Sequence, residues 1–370
     1  MNNLVVDSAN QSKLHEIVLS EINKQGGKIS FRDFMDICLY YPEFGYYQTN
    51  SEKTGKHGDF YTAPNVSKVF GEVIADYIYS LWIELQEPEN FSIVEFGAGK
   101  GQLAYSIIEQ LQNYTQLNNS FTYYIIDASS SFQKQQKQLL TNKSVKWVVD
   151  IEEIGQPITG CILSNELLDA FPIHWVRYHN NNLQEKYVAY DELENQFEII
   201  YKQASKELEE YFAMQNVDLF EGQEAEVNLM ALNWLEKCAT ALTKGYILTI
   251  DYGYLAEELY APHRKLGTLL CYYRHTVNNS PLERIGRQDI TSHVNFTQLM
   301  RWGEQLGLDT IAYTTQQQFL IEQGILTKLS NDVALNPFDQ AYKRNASIKQ
   351  LIMPTAMGEA FKVLILKKVN

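Results

Sequence analysis

From residue 91 onward, short and nearly continuous apolar strands alternate with amphipathic helices, and this alternation restricts the fold more than any other feature of the chain. Ser92–Phe96, Phe121–Ile126, Val145–Val149 and Cys161–Ser164 read as strands, with helices over Gln102–Leu111 and Ser130–Leu140 between them. Strands that are apolar on both faces need cover on both faces, which a parallel sheet flanked by helices provides. A helix over Val227–Leu242, a strand over Gly245–Ile250, a helix over Phe296–Leu306 and strands over Leu308–Tyr313 and Lys362–Leu366 continue the series. Between Ile173 and Ile200 three runs alternate polar and apolar residues, the mark of antiparallel strands with one wet face. The expected fold class is therefore α/β: a doubly wound sheet carrying an antiparallel lobe after its fourth strand.

The first 90 residues read differently. Residues 1–12 suggest a frayed tail. Leu14, Ile17, Val18 and Ile22 then recur at helical spacing until Gly26-Gly27 stops them. A short helix after Ser30 carries Phe31, Phe34, Met35 and Leu39, and Tyr46–Pro64 reads as loop. Val66–Leu85 is helical again. The expected division is an N-terminal helical cap with a long loop over 1–90 and a ligand-binding domain over 91–370, its inserted lobe covering roughly 173–222.

Composition excludes several roles. With 31 Lys+Arg against 45 Asp+Glu, the net charge of −14 repels phosphates, so neither nucleic acid nor an anionic membrane is an expected partner. No apolar run approaches the ~18 residues of a membrane helix. The four cysteines form no CxxC pair, which argues against a zinc ribbon or disulfide framework and fits a reducing, cytoplasmic location. No histidine pair has HxxxH spacing, so no metal site is expected. Nothing marks a self-association seam, and a homodimer is expected only because such assemblies are common.

Where the first strand of this series turns into its helix stands Glu95-Phe96-Gly97-Ala98-Gly99-Lys100-Gly101. Glycines there let the backbone turn sharply and let a ligand approach the main chain. A dinucleotide fold wants Gly-x-Gly-x-x-Gly beside a pyrophosphate. Here the spacing is Gly97-x-Gly99-x-Gly101, and the acid Glu95 suits a ligand with positive charge, such as the sulfonium and amino group of S-adenosylmethionine. Asp127, ending the second strand, can accept from both ribose hydroxyls, and Asp150, ending the third, can accept from an adenine amino group. Such strand-end acids also serve as plain turn caps.

After the fourth strand comes Ser164-Asn165-Glu166-Leu167-Leu168-Asp169-Ala170-Phe171-Pro172. Asn165 can offer a carbonyl to an amino nitrogen, while Glu166 and Asp169 can share a guanidinium as charge develops on it. The plainer reading is a helix capped by Asn165 with acids in its first turn.

These segments together resemble the MidA-like class I methyltransferases, the group that includes a mitochondrial complex I assembly factor with protein arginine methyltransferase activity. The resemblance rests on ISFRDFMDICLYYPEFGYY (29–47), GDFYTAPNVSKVFG (58–71), VEFGAGKGQL (94–103), NELLDAFP (165–172), IDYGY (250–254), GTLLCYYRH (267–275) and DITSHVNF (289–296). It implies a sheet whose last strand is antiparallel, and S-adenosyl-L-methionine held by Gly97, Gly99, Gly101 and Asp127. It further implies a covering loop with Gly58, Asp59, Phe60 and Thr62, and an acceptor pocket near Asn165, Glu166 and Asp169. The expected partner is then a protein substrate, a respiratory-complex subunit being one candidate. A cofactor-binding assembly factor with little catalysis and a small-molecule methyltransferase are the alternatives.

Overall fold

The structure, a computed structural model, describes residues 2–49, 68–141, 143–332, 336 and 339–369. Helix α1 runs Asn2–Lys24, so residues expected to fray are helical. No glycine or proline interrupts that stretch, and nothing stops the helix before Gly26. Strand β1 (Lys28–Ser30) leads into α2 (Phe31–Tyr40), whose first turn is capped by the Ser30 hydroxyl accepting from the Asp33 N–H at 3.1 Å. Then follow α3 (Lys68–Glu84), β2 (Phe91–Phe96), α4 (Gln102–Leu111), β3 (Phe121–Ile126), α5 (Ser130–Leu139), β4 (Val145–Val148) and β5 (Ile158–Asn165). The antiparallel run comprises β6 (His174–His179), β7 (Asn182–Asp191), β8 (Gln196–Gln203) and, beyond α6 (Lys206–Ala213), β9 (Glu224–Val227). Helix α7 (Leu229–Ala241) precedes β10 (Leu242–Tyr254), and three short strands follow, β11 (Leu270–Tyr273), β12 (Thr276–Asn278) and β13 (Asp289–Thr291). The chain ends through α8 (Phe296–Gln305), β14 (Leu308–Thr315), α9 (Gln316–Glu322), α10 (Gln340–Ile352) and β15 (Phe361–Lys368).

Two compact units divide these elements: residues 1–60, 168–233 and 254–299 form the first, and 61–167, 234–253 and 300–370 the second. In the second unit the sheet runs β14-β15-β10-β5-β2-β3-β4. β10, β5, β2, β3 and β4 are parallel, and the last strand, β15, lies antiparallel between β10 and β14. This is the arrangement that the resemblance to class I methyltransferases implies. Its core gathers Val73, Ile74 and Ile78 of α3, Ile107 of α4, Ile93, Ile125 and Leu163 of the strands and Ile365 of β15.

The first unit has its own antiparallel sheet, β1-β7-β6-β9 with β8 on the other edge of β7, and a small sheet β12-β11-β13. Leu14, Val18, Phe31, Phe34, Val188 and Ile290 are fully or almost fully buried in its separate core.

Candidate cofactor and acceptor site

In the second unit β2 and β5 are parallel neighbours, with Phe96 opposite Ser164. From β2 the chain proceeds through β3 and β4 on one side, whereas β5 is flanked on its other side by β10. The carboxyl ends of β2 and β5 therefore flank the point where the strand order reverses, where open α/β sheets bind their ligands. Two loops meet there, Gly97–Gly101 after β2 and the start of the polar run after β5.

All three loop glycines take left-handed backbone conformations, with φ of 66°, 54° and 82° for Gly97, Gly99 and Gly101. The Gly97 N–H donates to the Ile126 carbonyl at 2.8 Å, tying the loop to the end of β3. A side chain on Gly97 would collide with Leu167, whereas one on Gly99 would meet no atom of the described residues within 4 Å.

Glu95 is buried, and its carboxyl accepts the Tyr123 hydroxyl at 2.8 Å. Burial pushes it up to about 8. At the end of β3, Asp127 is buried as well; its Oδ1 accepts the Ser129 N–H and its Oδ2 the Gln136 side-chain amide, both at 2.8 Å. Burial raises it to about 6, against the pull of those donors. Asp150 is more open. Burial tends to raise it, but the hydrogen bond and charge of Lys237 prevail and hold it below the usual aspartate value.

At the end of β5 the Asn165 amide donates to Glu166 Oε1 at 3.2 Å, while its Oδ1 is buried and meets no hydrogen-bond donor among the described residues. Glu166 occupies the left-handed region at φ 51°, its N–H donating to the Ile250 carbonyl at 2.9 Å. A non-glycine residue there costs on the order of 1–2 kcal/mol, and such strain is concentrated at functional positions. No helix starts at Asn165, so the plain capping arrangement is not what the chain adopts.

Asp169 belongs to the first unit, within the 3-10 turn Leu168–Ala170, and is buried. Around it the Leu168 carbonyl accepts from Asn228 at 2.8 Å, the Asp169 carbonyl from the Ser292 N–H at 2.9 Å and the Ala170 carbonyl from the Tyr40 hydroxyl at 2.9 Å. In the same unit the Tyr47 hydroxyl bridges both carboxylate oxygens of buried Asp289 at 2.9 Å. Burial, then the charges of Asp289 and Asp169, push Tyr47 far above the ordinary tyrosine range. Gly58, Asp59, Phe60 and Thr62 lie outside the described residues.

Asp251, in the IDYGY segment, is a further residue at this edge of the sheet. Its buried carboxylate accepts the Leu167 N–H at 3.2 Å and the Tyr252 N–H at 2.9 Å, bracing the loop that carries Asn165 and Glu166. The signal was available: Asp251 follows the apolar run of β10 just as Asp127 follows that of β3. Taken together, the left-handed glycine loop, the acid at the end of β3 and an Asn165 carbonyl with no donor among the described residues suit an adenosyl ligand with a nitrogen acceptor beside it.

Residues 73–314 match a family described as "Putative S-adenosyl-L-methionine-dependent methyltransferase". The mitochondrial protein arginine methyltransferase NDUFAF7 of Xenopus laevis is 25% identical over 92% of this chain and 81% of its own length. The corresponding protein of Danio rerio is 25% identical over 96% and 88%. The crystal structure of a COG1565 superfamily member from Burkholderia thailandensis, bound to S-adenosyl-homocysteine, superposes with a TM-score of 0.88 at 29% identity, covering 98% of this chain and 93% of that one.

Proposed function

The chain belongs to this family of S-adenosyl-L-methionine-dependent methyltransferases, the MidA-like group indicated by its motifs, and from that premise we propose that it methylates an arginine side chain of a partner protein. S-adenosyl-L-methionine supplies an electrophilic methyl group on a positively charged sulfur. The residues proposed to hold it are Gly97, Ala98, Gly99 and Gly101 at the loop, Asp127 at the ribose, Asp150 at the adenine and Glu95 behind the loop, with Gly58, Asp59, Phe60 and Thr62 covering it.

The observation that carries the acceptor side is the end of β5. Asn165 Oδ1 is a buried acceptor that meets no donor among the described residues, and an incoming N–H relieves the cost of burying it, about 1–3 kcal/mol. Glu166, held in a strained conformation, supplies the negative charge that grips a guanidinium and offsets charge developing on its nitrogen. Asp169 follows three residues later and is proposed as the second carboxylate. The names of the relatives support arginine as the acceptor.

A respiratory-complex subunit as the substrate, a homodimeric assembly and a cytoplasmic location belong to the same proposal; the four cysteines, all buried as free thiols, support a reducing compartment. Among the described residues no helix is long and apolar enough to cross a membrane. The test is to label lysate from cells lacking the gene with radioactive S-adenosylmethionine and purified enzyme, then hydrolyse the labelled protein. Label recovered as methylarginine supports the proposal. Label on another amino acid, or only on small molecules, refutes it.

A further inference from the structure

Gln136 sits on α5 with no exposed surface, an unusual position for a long polar side chain. Every polar atom of its amide is used. Nε2 donates to the Gly99 carbonyl and to Asp127 Oδ2, each at 2.8 Å, and Oε1 accepts the Trp147 indole N–H at 3.0 Å. Its aliphatic stem packs against Gly101, so closely that a side chain there would stand 3.3 Å from Gln136 Cγ. One amide thus joins the glycine loop after β2, the acid ending β3, and β4.

We infer that Gln136 is the positioning residue of the cofactor site, setting the Gly99 peptide and the Asp127 carboxylate in one fixed relation for an adenosyl ligand. A carboxylate offers about four acceptor positions. Ser129 and Gln136 take one on each oxygen and the Gly99 N–H a third, which leaves about one for a ribose hydroxyl. A fully satisfied buried network of this kind rigidifies what it joins. Of the titratable groups around the carboxylate, Glu95 of β2 is raised by burial and by the Asp127 charge, and Lys137 of α5 lies over the Trp147 ring at 5.6 Å.

The inference rests on Asp127 binding the ribose and is independent of the methyl acceptor. Its test is calorimetric titration of the full-length protein with S-adenosylhomocysteine between pH 6 and 8.5, comparing Gln136→Met, Gln136→Glu and Asp127→Asn, with the melting temperature of each ligand-free variant. Gln136→Met should weaken binding about tenfold or more, the worth of a hydrogen bond to a charged group. Gln136→Glu keeps the shape and the Trp147 bond but sets a second carboxyl against Asp127. It should lose more affinity than Gln136→Met at pH 8 and recover several-fold as the pH falls towards 6.5, where the two carboxyls share a proton.

Affinity of Gln136→Glu equal to wild type at pH 8, or reduced by a factor that pH does not change, would show a merely structural side chain and overturn the inference. Unchanged affinity in Asp127→Asn would overturn the ribose assignment beneath it. Loss in Asp127→Asn with none in either Gln136 variant would sink the positioning role alone.

Discussion

The main-chain N–H of Glu166 donates to the carbonyl of Ile250 at 2.9 Å, fixing at the carboxyl edge of the sheet a glutamate in a backbone conformation that glycine would adopt more easily. Removing its side chain should relieve on the order of 1 kcal/mol of strain, part of which glycine's greater freedom in the unfolded chain takes back. Glu166→Gly is therefore expected to melt no lower than wild type while losing methyl transfer. Thermal unfolding and a transfer assay on the same preparation check both halves. A position kept for stability would give the opposite pattern.

Two buried acids should leave a signature in stability against pH. Glu95 rises from 4.5 to about 8 and Asp127 from 3.8 to about 6, both through burial, so the native protein retains protons that the unfolded chain releases. Their contribution to stability is complete below the unfolded values and is lost as pH rises through about 6 for Asp127 and about 8 for Glu95. In denaturant titrations of ligand-free protein, Glu95→Gln should therefore gain on wild type as pH rises from 5 towards 8. Asp127→Asn should make its relative gain earlier, with little further change beyond about 6.5.

Asp150 is engaged by Lys237 and by the Ile151 and Glu152 N–H groups, and its proposed role is to accept an adenine amino group beside them. The exposed ion pair itself is worth at most about 1 kcal/mol. Asp150→Ala should cost little stability yet weaken S-adenosylhomocysteine about tenfold. Binding of the inosine analogue, which lacks the amino group, should hardly change. Equal losses for both ligands would remove Asp150 from the adenine site.

The sheet was legible because β2 and β5, apolar on both faces, cannot be mistaken for half-exposed strands, and their burial follows that pattern. Shorter elements were not. β9 and β11 have four residues each, too few for a period to declare itself, and β1 finds its place only by pairing with β7 more than 150 residues later. Within the site, Gly97, Gly99, Gly101 and Asp127 stood out because their spacing and strand-end positions are local facts. The partners were hidden by distance: Gln136 meets Gly99 across 37 residues, and Lys237 meets Asp150 across 87. Glu166 was legible as an acid but not as a strained one. Its conformation is set by Ile250 on β10, and in sequence it looks like an ordinary residue of a helix's first turn.

The proposed division of labour gives Asn165 and Glu166 to the acceptor and the glycine loop with Asp127 to the cofactor. The most direct test compares Glu166→Gln with wild type in two measurements on the same protein, the dissociation constant of S-adenosylhomocysteine and the rate of methyl transfer to labelled lysate protein. Transfer slowed by about a hundredfold or more, with cofactor affinity unchanged within about twofold, is the expected result. Parallel loss of binding and transfer, or transfer at the wild-type rate, would contradict it.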